Sequence, residues 1–285
     1  MPELPELEVI REVLNRRVAG LAITDVKVIP PGGPIVVRDL TYQGFEVSLT
    51  GTVIAGITRR GKFLVFSFDR SEFFLAINPK LTGRLQLAFP SEKRLARTYV
   101  IFTLANGGQL RYNDQKKMGQ LYLTPKLELV PEYAGLGPEP FDVTPDQFEA
   151  RLKHFTGEIK GILTRGECIA GIGNAYADEI LWAARIHPYR KRTQLSPEEI
   201  GRLYTAMQAT LAGAIEKIRM EMGENIHLEP RDFMNIHMKA GQPCPRCGNP
   251  IALISANQRI TNFCRTCQPG GLIKGMDHEN RPLSE

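Results

Sequence analysis

The first apolar residues of the chain recur at helical spacing. Over residues 6–18 they lie three or four positions apart, and they are Leu7, Ile10, Leu14 and Val18. Such spacing places apolar side chains on one face of a helix, and acidic residues in the first turn suit the positive end of the helix dipole. The pattern therefore predicts one amphipathic helix that begins after Pro5 and ends near Val18.

The pattern changes between residues 23 and 123 to short runs rich in β-branched and aromatic residues. These runs are FEVSLTGTVIAGI, KFLVFSF, EFFLAI, TYVIFTL and GQLYL. They alternate between apolar and polar residues or stay apolar over short stretches, and Gly, Asn or Asp separates one from the next. We expect a mostly antiparallel system of sheets here, either a sandwich or a barrel.

A break in this pattern comes next, and helices follow the break. The segment from Thr124 to Pro145 contains five prolines and two glycines and has no sustained periodicity, which favours a domain boundary. Thr144 and Ser196 each precede a proline and stand three positions before a Gln or Glu, the arrangement of a capped helix start. The helix after Ser196 is predicted to extend to about Met222.

Composition limits the classes of protein to consider. The 285 residues are enough for two domains of ordinary size, and an apolar content of 42% is typical of a globular core. A formal charge of +5 suits a polyanionic partner. Acidic residues occupy the first positions, where a secretory signal is basic and then apolar, and no run approaches the roughly 18 apolar residues of a membrane span. We expect a cytoplasmic location.

Four of the five cysteines lie between positions 244 and 267. They form two Cys-x2-Cys pairs, Cys244 with Cys247 and Cys264 with Cys267, separated by sixteen residues. Four converging thiolates complete the tetrahedral shell of a structural zinc ion. The runs IALIS and RITNF between the pairs predict a β-hairpin, and four unrelated cysteines or a redox pair fit this spacing less well. The fifth cysteine, Cys168, is expected to be a buried apolar residue.

Pro2 becomes a secondary amine if Met1 is removed after synthesis. An α-amino group has a pKa of roughly 7.7 to 8.0, so a useful fraction is neutral at cellular pH and can attack a sugar C1′ to form an iminium. Glu3 and Glu6 lie close enough in the chain to act on protons. The same residues also suit an ordinary helix start, and both interpretations stay open on these residues alone.

Three further residues carry candidate chemistry. Lys62 follows a glycine at the start of the apolar strand KFLVF, where a cation can act on a phosphate or a proton. Asn174 begins a predicted helix after the glycine-rich turn AGIG, and N–H groups at a helix start bind phosphate. Arg259 lies near the turn of the cysteine hairpin, within reach of a phosphate. Lys62 and Arg259 also fit an ordinary solvated surface.

These stretches together resemble the formamidopyrimidine-DNA glycosylase and endonuclease VIII family of base-excision repair enzymes. The resemblance covers nearly the whole chain. It rests on PELPELE, RRGKFL, YNDQKKMG, IKGILTRGECIAGIGNAYADEILWAARIHP and the four-cysteine finger that ends at CRTCQ. The order and the spacing of these stretches are those of the family.

The resemblance implies an α+β multidomain fold and a bifunctional DNA glycosylase/AP lyase. Such an enzyme acts as a monomer on double-stranded DNA with a damaged base or abasic site, in the cytoplasm at the nucleoid, and cleaves the strand by β- and δ-elimination. One structural Zn²⁺ is its cofactor. The predicted domains are a catalytic β-sandwich with the N-terminal helix (1–123), a linker (124–143), a helix-two-turn-helix domain (144–240), a zinc-finger β-hairpin (241–270) and a tail (271–285).

Matched by position, the family's catalytic residues fall on candidates already named. The resemblance implies a Schiff-base nucleophile at Pro2 and a proton donor at Glu3, which opens the sugar or assists departure of the base. It implies a second acidic residue close to the sugar at Glu6 and a donor associated with β-elimination at Lys62.

The resemblance also implies contacts to DNA phosphates. In the helical domain they fall on Lys160 and Asn174. In the zinc finger they fall on Arg259, which the resemblance also assigns to the later elimination step. A flipped-out nucleotide leaves a void in the duplex, so residues that fill the void are expected as well.

The stretches that fill this void depart from the common family pattern. NPKLTG places Leu81 where formamidopyrimidine-type members have a methionine wedge. DQKKMG places Lys116 where they have the arginine that contacts the orphaned base, and Met118 where they have an aromatic wedge. Lysine lacks the planar fork of arginine, so recognition of the opposite base is expected to be looser.

A further departure is a short segment before the zinc finger. Ten residues separate Phe233 from Cys244, where 8-oxoguanine-type enzymes have a longer loop that closes over the flipped purine. The short segment favours oxidised pyrimidines or ring-opened purines as substrates. The alternative to an enzyme is a catalytically silent DNA-binding protein, which a retained Met1 would favour. A general zinc-ribbon factor fits less well because it does not need the reactive terminus.

Overall fold

The computed structural model describes residues 1–256 and 259–270, and these form two compact units. The first unit holds Met1–Gly135 and Ile215–Pro230. The second holds Leu136–Ala214 and the described residues from Arg231 onward. The hairpin turn is predicted around Ala256-Asn257, and residue 257 lies outside the described residues, as does the predicted tail (271–285). The predicted domain boundaries themselves stay predictions.

The first unit contains one long α-helix, two short α-helices, nine strands and one 3-10 helix (Leu127–Leu129) before Gly135. The α-helices and strands are α1 (Leu4–Val18), β1 (Ile23–Val28), α2 (Gly33–Val36), β2 (Val37–Asp39), α3 (Phe45–Leu49), β3 (Ile54–Arg60), β4 (Phe63–Phe68), β5 (Phe74–Asn78), β6 (Gly83–Ala88), β7 (Thr98–Leu104), β8 (Gln109–Asp114) and β9 (Gln120–Thr124).

The strands of the first unit form two sheets. One has the strand order β1-β7-β8-β6 and the other has the order β2-β9-β5-β4-β3. All neighbouring strands are antiparallel except β2 and β9. Both sheets bury apolar side chains, such as Leu64 and Ile77 in one and Val100 and Phe102 in the other, and this burial is the main stabilising contribution. The predicted sheet system with an N-terminal helix is confirmed.

Helix α1 begins at Leu4, slightly earlier than predicted. Pro5 is accepted within its first turn because the N–H groups there need no partner inside the helix. The apolar face is buried as predicted, with Leu7 and Leu14 fully inaccessible to solvent.

One predicted strand is wrong at its beginning. FEVSL at the start of FEVSLTGTVIAGI forms the short helix α3, and only the later residues form β3. Gly44, with φ of 96°, lets the chain turn into this helix because it has no Cβ. A carboxylate oxygen of Glu46 accepts a hydrogen bond from the Val28 N–H at 2.6 Å. The tertiary contact therefore favours a helix that the β-branched and aromatic composition does not indicate.

The second unit is largely helical and ends in the hairpin. Its elements are α4 (Pro145–Leu152), α5 (Ile159–Leu163), α6 (Asn174–Ala183), α7 (Pro197–Met222), β10 (Ala252–Ala256) and β11 (Arg259–Phe263). The last turns of α7 belong to the first unit. Strands β10 and β11 pair antiparallel, as predicted.

The predicted helix caps of the second unit are confirmed. The Thr144 N–H donates to Gln147 Oε1 at 2.9 Å, and the Gln147 N–H donates back to Thr144 Oγ1 at 3.3 Å. Ser196 and Glu199 form the same reciprocal pair at the start of α7, at 2.9 and 3.2 Å. Each cap satisfies N–H groups that the helix itself leaves without a partner.

Two further expectations concern the burial of Cys168 and the presence of membrane spans. Cys168 is fully buried, and burial raises the pKa of its thiol to about 11, so it behaves as the small apolar residue expected. Among the described residues, no helix combines the length and the hydropathy that crossing a membrane requires.

Candidate active site and nucleic-acid interface

The predicted catalytic terminus is buried at the start of α1. Pro2, Glu3 and Glu6 are all buried, and the two carboxylic side chains are each 1% exposed. The Glu3 N–H donates to Glu6 Oε2 at 2.8 Å, so Glu6 fixes the backbone on which Glu3 stands. The first residues of the chain therefore have defined positions, which a proton donor and a nucleophile require.

Met1 precedes Pro2, and its ammonium is held by an ion pair. Its ammonium lies 2.9 Å from Glu229 Oε1, and Glu229 also forms an ion pair with Arg84. While Met1 is present, the Pro2 nitrogen is an amide and has no nucleophilic lone pair. Removal of Met1 is thus a condition for any chemistry at Pro2.

Helix α1 is attached to strand β3 by polar contacts as well as apolar packing. Asn15 forms two hydrogen bonds with the backbone of Ile57, one to its carbonyl at 2.6 Å and one from its N–H at 3.0 Å. Arg59 Nε donates to Glu8 Oε2 at 2.6 Å. Burial raises the pKa of Glu8, but hydrogen bonds from Arg11 and Arg59 outweigh burial and lower it below the usual value.

Lys62 lies in the turn between β3 and β4, half-buried. Gly61 precedes it with φ of 55°, a conformation that side chains rarely adopt. Arg59 Nη1 donates to the Gly61 carbonyl at 3.1 Å, while its Nε binds Glu8. Arg59 therefore connects α1 to the turn that carries Lys62. The motif RRGKF indicates Lys62, but neither Arg59 nor Glu8 was predicted as a contributor.

The three predicted void-filling residues lie on two connections at the same edge of the two sheets. Leu81 is in the β5–β6 connection, and Lys116 and Met118 are in the β8–β9 connection. Both connections cross from one sheet to the other. The first connection ends at Gly83, the second begins after Asp114, and these two residues pair between β6 and β8. All three side chains are exposed, with Leu81 at 39% and Met118 at 50%. Exposed large apolar side chains on adjacent loops suit insertion between bases.

Asp114 holds these two connections together. It is completely buried, and its Oδ1 accepts hydrogen bonds from Thr82 Oγ1 and, at 3.1 Å, from the Lys116 N–H. Its Oδ2 accepts from the Gly119 N–H at 2.8 Å and from the Tyr112 hydroxyl at 3.3 Å. The stretch YNDQKKMG contains this residue, but no role was predicted for it from the sequence.

We expect Asp114→Ala to destabilise the first unit and to slow base excision. Each buried donor left without an acceptor, the Gly119 N–H and the Tyr112 hydroxyl, costs about 1–3 kcal/mol. The loop that carries Lys116 and Met118 also loses its anchor. Urea unfolding gives the change in stability, and single-turnover excision from duplex DNA gives the change in rate. Asp69→Ala, in an exposed turn, is the matched control, and equal behaviour of the two variants would contradict this assignment.

The predicted phosphate contacts lie in the second unit. Asn174 is the first residue of α6 and follows Gly173 at the N-cap. Arg259 is the first residue of β11, and its backbone pairs with Ala256. Lys160, on α5, is 6% exposed and forms an ion pair with Asp178 of α6 at 2.7 Å. Asp178 was not identified from the sequence, although it lies inside the motif AYADEIL.

The four predicted metal ligands converge at one point. The sulfur atoms of Cys244, Cys247, Cys264 and Cys267 all lie within 4.8 Å of one another, with separations of 3.9 Å for Cys244 and Cys267 and 3.4 Å for Cys247 and Cys264. A tetrahedral Zn²⁺ with bonds of about 2.3 Å needs sulfur atoms about 3.8 Å apart. The donor set therefore fits one structural zinc ion.

The surroundings of the cysteines also favour a bound cation. Burial raises the pKa of Cys244, but N–H donors from Arg246, Trp182 and Cys247 outweigh burial and lower it to about 6. Burial and hydrogen bonds among the thiols raise the pKa of Cys267 to about 12. Four adjacent thiols cannot all ionise without a cation, and Zn²⁺ provides the charge that allows it. The Trp182 indole N–H lies 3.4 Å from Cys244 Sγ and orients this ligand.

Comparison with known proteins shows the same three parts in the same order. Residues 1–121 match the formamidopyrimidine-DNA glycosylase N-terminal domain, residues 136–223 match the formamidopyrimidine-DNA glycosylase H2TH domain, and residues 241–270 match the zinc finger found in FPG and IleRS. A formamidopyrimidine-DNA glycosylase of Symbiobacterium thermophilum is 37% identical, over 94% of this chain and 90% of the relative. The chain belongs to the formamidopyrimidine-DNA glycosylase family.

Solved structures of similar proteins agree with this family. A complex between the Lactococcus lactis Fpg and an abasic site containing DNA matches with a TM-score of 0.83 and 31% identity. A structure of MutM in complex with carbocyclic 8-oxo-G containing DNA matches with a TM-score of 0.84 and 32% identity. Each match covers 94% of this chain and 100% of the chain in the solved structure. The family assigned from the sequence motifs is confirmed.

Proposed function

We propose that this protein is a bifunctional DNA glycosylase and AP lyase of base-excision repair. The observation that carries the proposal is the buried terminus, where Pro2 and Glu3 have fixed positions at the head of α1 in a chain of this family. Its substrate is double-stranded DNA with a damaged base or an abasic site, on which it acts as a monomer. A cytoplasmic location at the nucleoid is part of the same proposal.

Chemistry begins at the Pro2 nitrogen once Met1 has been removed. The neutral secondary amine attacks C1′ of the flipped nucleotide, and the bonds from C1′ to the base and to the ring oxygen of the sugar both break. The amine loses its own proton, Glu3 delivers the proton that opens the sugar or assists departure of the base, and the nitrogen and C1′ are left joined as an iminium. A secondary amine gives an iminium that carries its positive charge permanently. The charge acidifies the C2′ proton, so loss of that proton expels the 3′ phosphate and a second elimination expels the 5′ phosphate.

The remaining residues receive supporting roles in this proposal. Glu6 lies near the sugar and fixes the backbone of Glu3, and Lys62 acts in the β-elimination. Asn174 and Arg259 contact DNA phosphates, with Arg259 also acting in the later elimination. Leu81, Lys116 and Met118 occupy the void in the duplex, with looser recognition of the opposite base than a planar arginine fork would give. Zinc holds the hairpin that carries Arg259.

The preferred lesions are proposed to be oxidised pyrimidines or ring-opened purines. Only a short segment separates Phe233 from Cys244, which leaves little chain to close over a flipped 8-oxoguanine. Duplexes with 5,6-dihydrouracil, a formamidopyrimidine or 8-oxoguanine opposite cytosine separate these possibilities by their single-turnover excision rates. Excision of 8-oxoguanine as fast as cleavage of an abasic site would contradict the preference.

A cleavage assay tests the proposed activity directly. We expect the protein to cut a duplex with one abasic site and to leave phosphate groups on both sides of a one-nucleotide gap, the product of β- and δ-elimination. The reaction needs no added divalent cation, so it proceeds in EDTA during a short incubation. The alternative, a silent DNA-binding protein, predicts binding to the same duplex with no cleavage, from protein shown by terminal mass to lack Met1.

A further inference from the structure

The ammonium group of Lys160 is directed into the protein. Its Nζ lies 2.7 Å from Asp178 Oδ1 and donates hydrogen bonds to the Ile260 carbonyl and to Thr261 Oγ1, both at 2.9 Å. The ammonium is therefore held by one buried carboxylate and by two hydrogen bonds to strand β11. The side chain is 7% exposed. A lysine that neutralises a DNA phosphate would instead present its donors to solvent.

Asp178 extends the contacts of Lys160 to two further segments. Its Oδ2 lies 2.9 Å from His237 Nδ1 and accepts a hydrogen bond from the Asn262 N–H at 3.1 Å. The Met238 N–H donates to Asn262 Oδ1 at 3.0 Å. The ion pair of Lys160 and Asp178 therefore joins α5, α6, the segment before the zinc finger and strand β11.

Three consecutive residues of β11 are attached to this one ion pair. Lys160 binds Ile260 and Thr261, and Asp178 binds Asn262. Arg259 comes immediately before them and is the first residue of the strand. The backbone position of Arg259 thus depends on the ion pair.

We propose that Lys160 and Asp178 are a positioning pair for Arg259, and that Lys160 does not itself contact a DNA phosphate. The proposal rests on the proposed role of Arg259 as a phosphate contact. A buried charge is costly without its partner, so loss of either member weakens the attachment of β11. The pair acts on DNA through Arg259, from the interior of the second unit.

The direction in which Asp178→Asn changes DNA affinity distinguishes the two possible roles of Lys160. If Lys160 contacted a phosphate, Asp178→Asn would remove a competing carboxylate, and DNA binding would become tighter and more dependent on salt. If the pair positions Arg259, Asp178→Asn weakens binding and makes it less dependent on salt. The slope of log K against log salt concentration then falls by about 0.9, the contribution of one phosphate contact.

A double-variant comparison gives the second readout. Dissociation constants for an abasic-site duplex are measured at several salt concentrations for Lys160→Met, Arg259→Gln and the double variant. We expect the double variant to match Arg259→Gln, because Lys160 acts only through that residue. Separate, additive decreases in the salt slope would overturn the proposal. Lys153→Met is the matched control, because Lys153 is an exposed cation of the same unit that forms an ion pair with Glu149, four positions earlier in the chain.

Zinc content and thermal unfolding are measured for each variant. If Asp178→Asn releases zinc, Thr261→Val is used as the test variant instead. This substitution removes one acceptor of Lys160 and keeps the shape of the side chain. Weaker binding with a shallower salt slope from Thr261→Val supports the proposal, and unchanged binding overturns it. An unchanged salt slope in Arg259→Gln alone would overturn the role of Arg259 and this proposal together, and the cleavage of abasic DNA would still test the chemistry at Pro2 separately.

Discussion

Sodium borohydride is expected to trap a covalent adduct between this protein and a duplex with one abasic site, but only when Met1 has been removed. In the chain that retains Met1, the Pro2 nitrogen is an amide, and the terminal ammonium is held 2.9 Å from Glu229. In the processed chain, the Pro2 amine forms an iminium that borohydride reduces to a stable bond. Electrophoresis of protein before and after methionine aminopeptidase treatment, with the terminal mass of each sample, measures the difference.

Glu3→Gln is expected to remove most of the base excision from a duplex that carries one damaged base, measured under single-turnover conditions. Glutamine has nearly the same shape as glutamate but cannot deliver a proton, and general acid catalysis typically contributes 10²–10⁴-fold. We expect a smaller loss with a preformed abasic site, because part of that sugar is already open. Because Glu3 is 1% exposed, thermal unfolding is measured to confirm that the variant is folded.

A carboxylate elsewhere on the same helix provides the control for Glu3. Glu12 lies on α1 and pairs with Arg219 at 2.8 Å, away from the buried terminus. Glu12→Gln changes the net charge by the same amount and is expected to leave excision unchanged. Equal excision by Glu3→Gln and the unchanged protein would show that another group delivers the proton.

Loss of zinc is expected to have the second large effect. Structural zinc contributes about 10–16 kcal/mol of apparent binding free energy in zinc-finger peptides, and a two-stranded hairpin is not stable by itself in water. Strands β10 and β11 therefore depend on the ion. Removal of zinc is expected to displace Arg259 and to weaken DNA binding by about 10- to 100-fold, the equivalent of one charge-assisted hydrogen bond.

Cys247→Ser is the most direct way to remove the metal. Cys247 is the exposed member of the four, so its substitution leaves no cavity in the core, whereas Cys264 is fully buried. Metal analysis of the purified protein and a titration of abasic duplex give the zinc content and the affinity. Cys168→Ala, outside the cluster, is expected to keep one zinc per chain. Full DNA affinity in zinc-free Cys247→Ser protein would contradict a role for the hairpin in binding.

Much of the fold could be predicted because its determinants are local in the chain. The helical spacing before Val18 and the reciprocal caps at Thr144 and Ser196 each involve residues only a few positions apart. The short helix α3 could not be predicted, because a tertiary contact between Glu46 and Val28 overrides the strand-like composition of FEVSL.

The candidate site divides in the same way. Pro2, Glu3 and Lys62 are candidate catalytic residues that residue type and motif indicate. The residues that hold them were not indicated, because their partners are distant in the chain: Arg59 binds Glu8 across 51 positions.

The sequence by itself determined the four cysteines that suit a zinc ion and the family, since these depend on residue type at fixed spacing, and it indicated Pro2 and Glu3 as candidates for the reactive terminus. Only the tertiary structure decided that Asp114 joins two loops across 32 positions and that Lys160 binds Thr261 across 101. A lysine in a motif has the same charge whether it meets a phosphate or a buried carboxylate. Which of the two it meets depends on the burial and partners that folding creates.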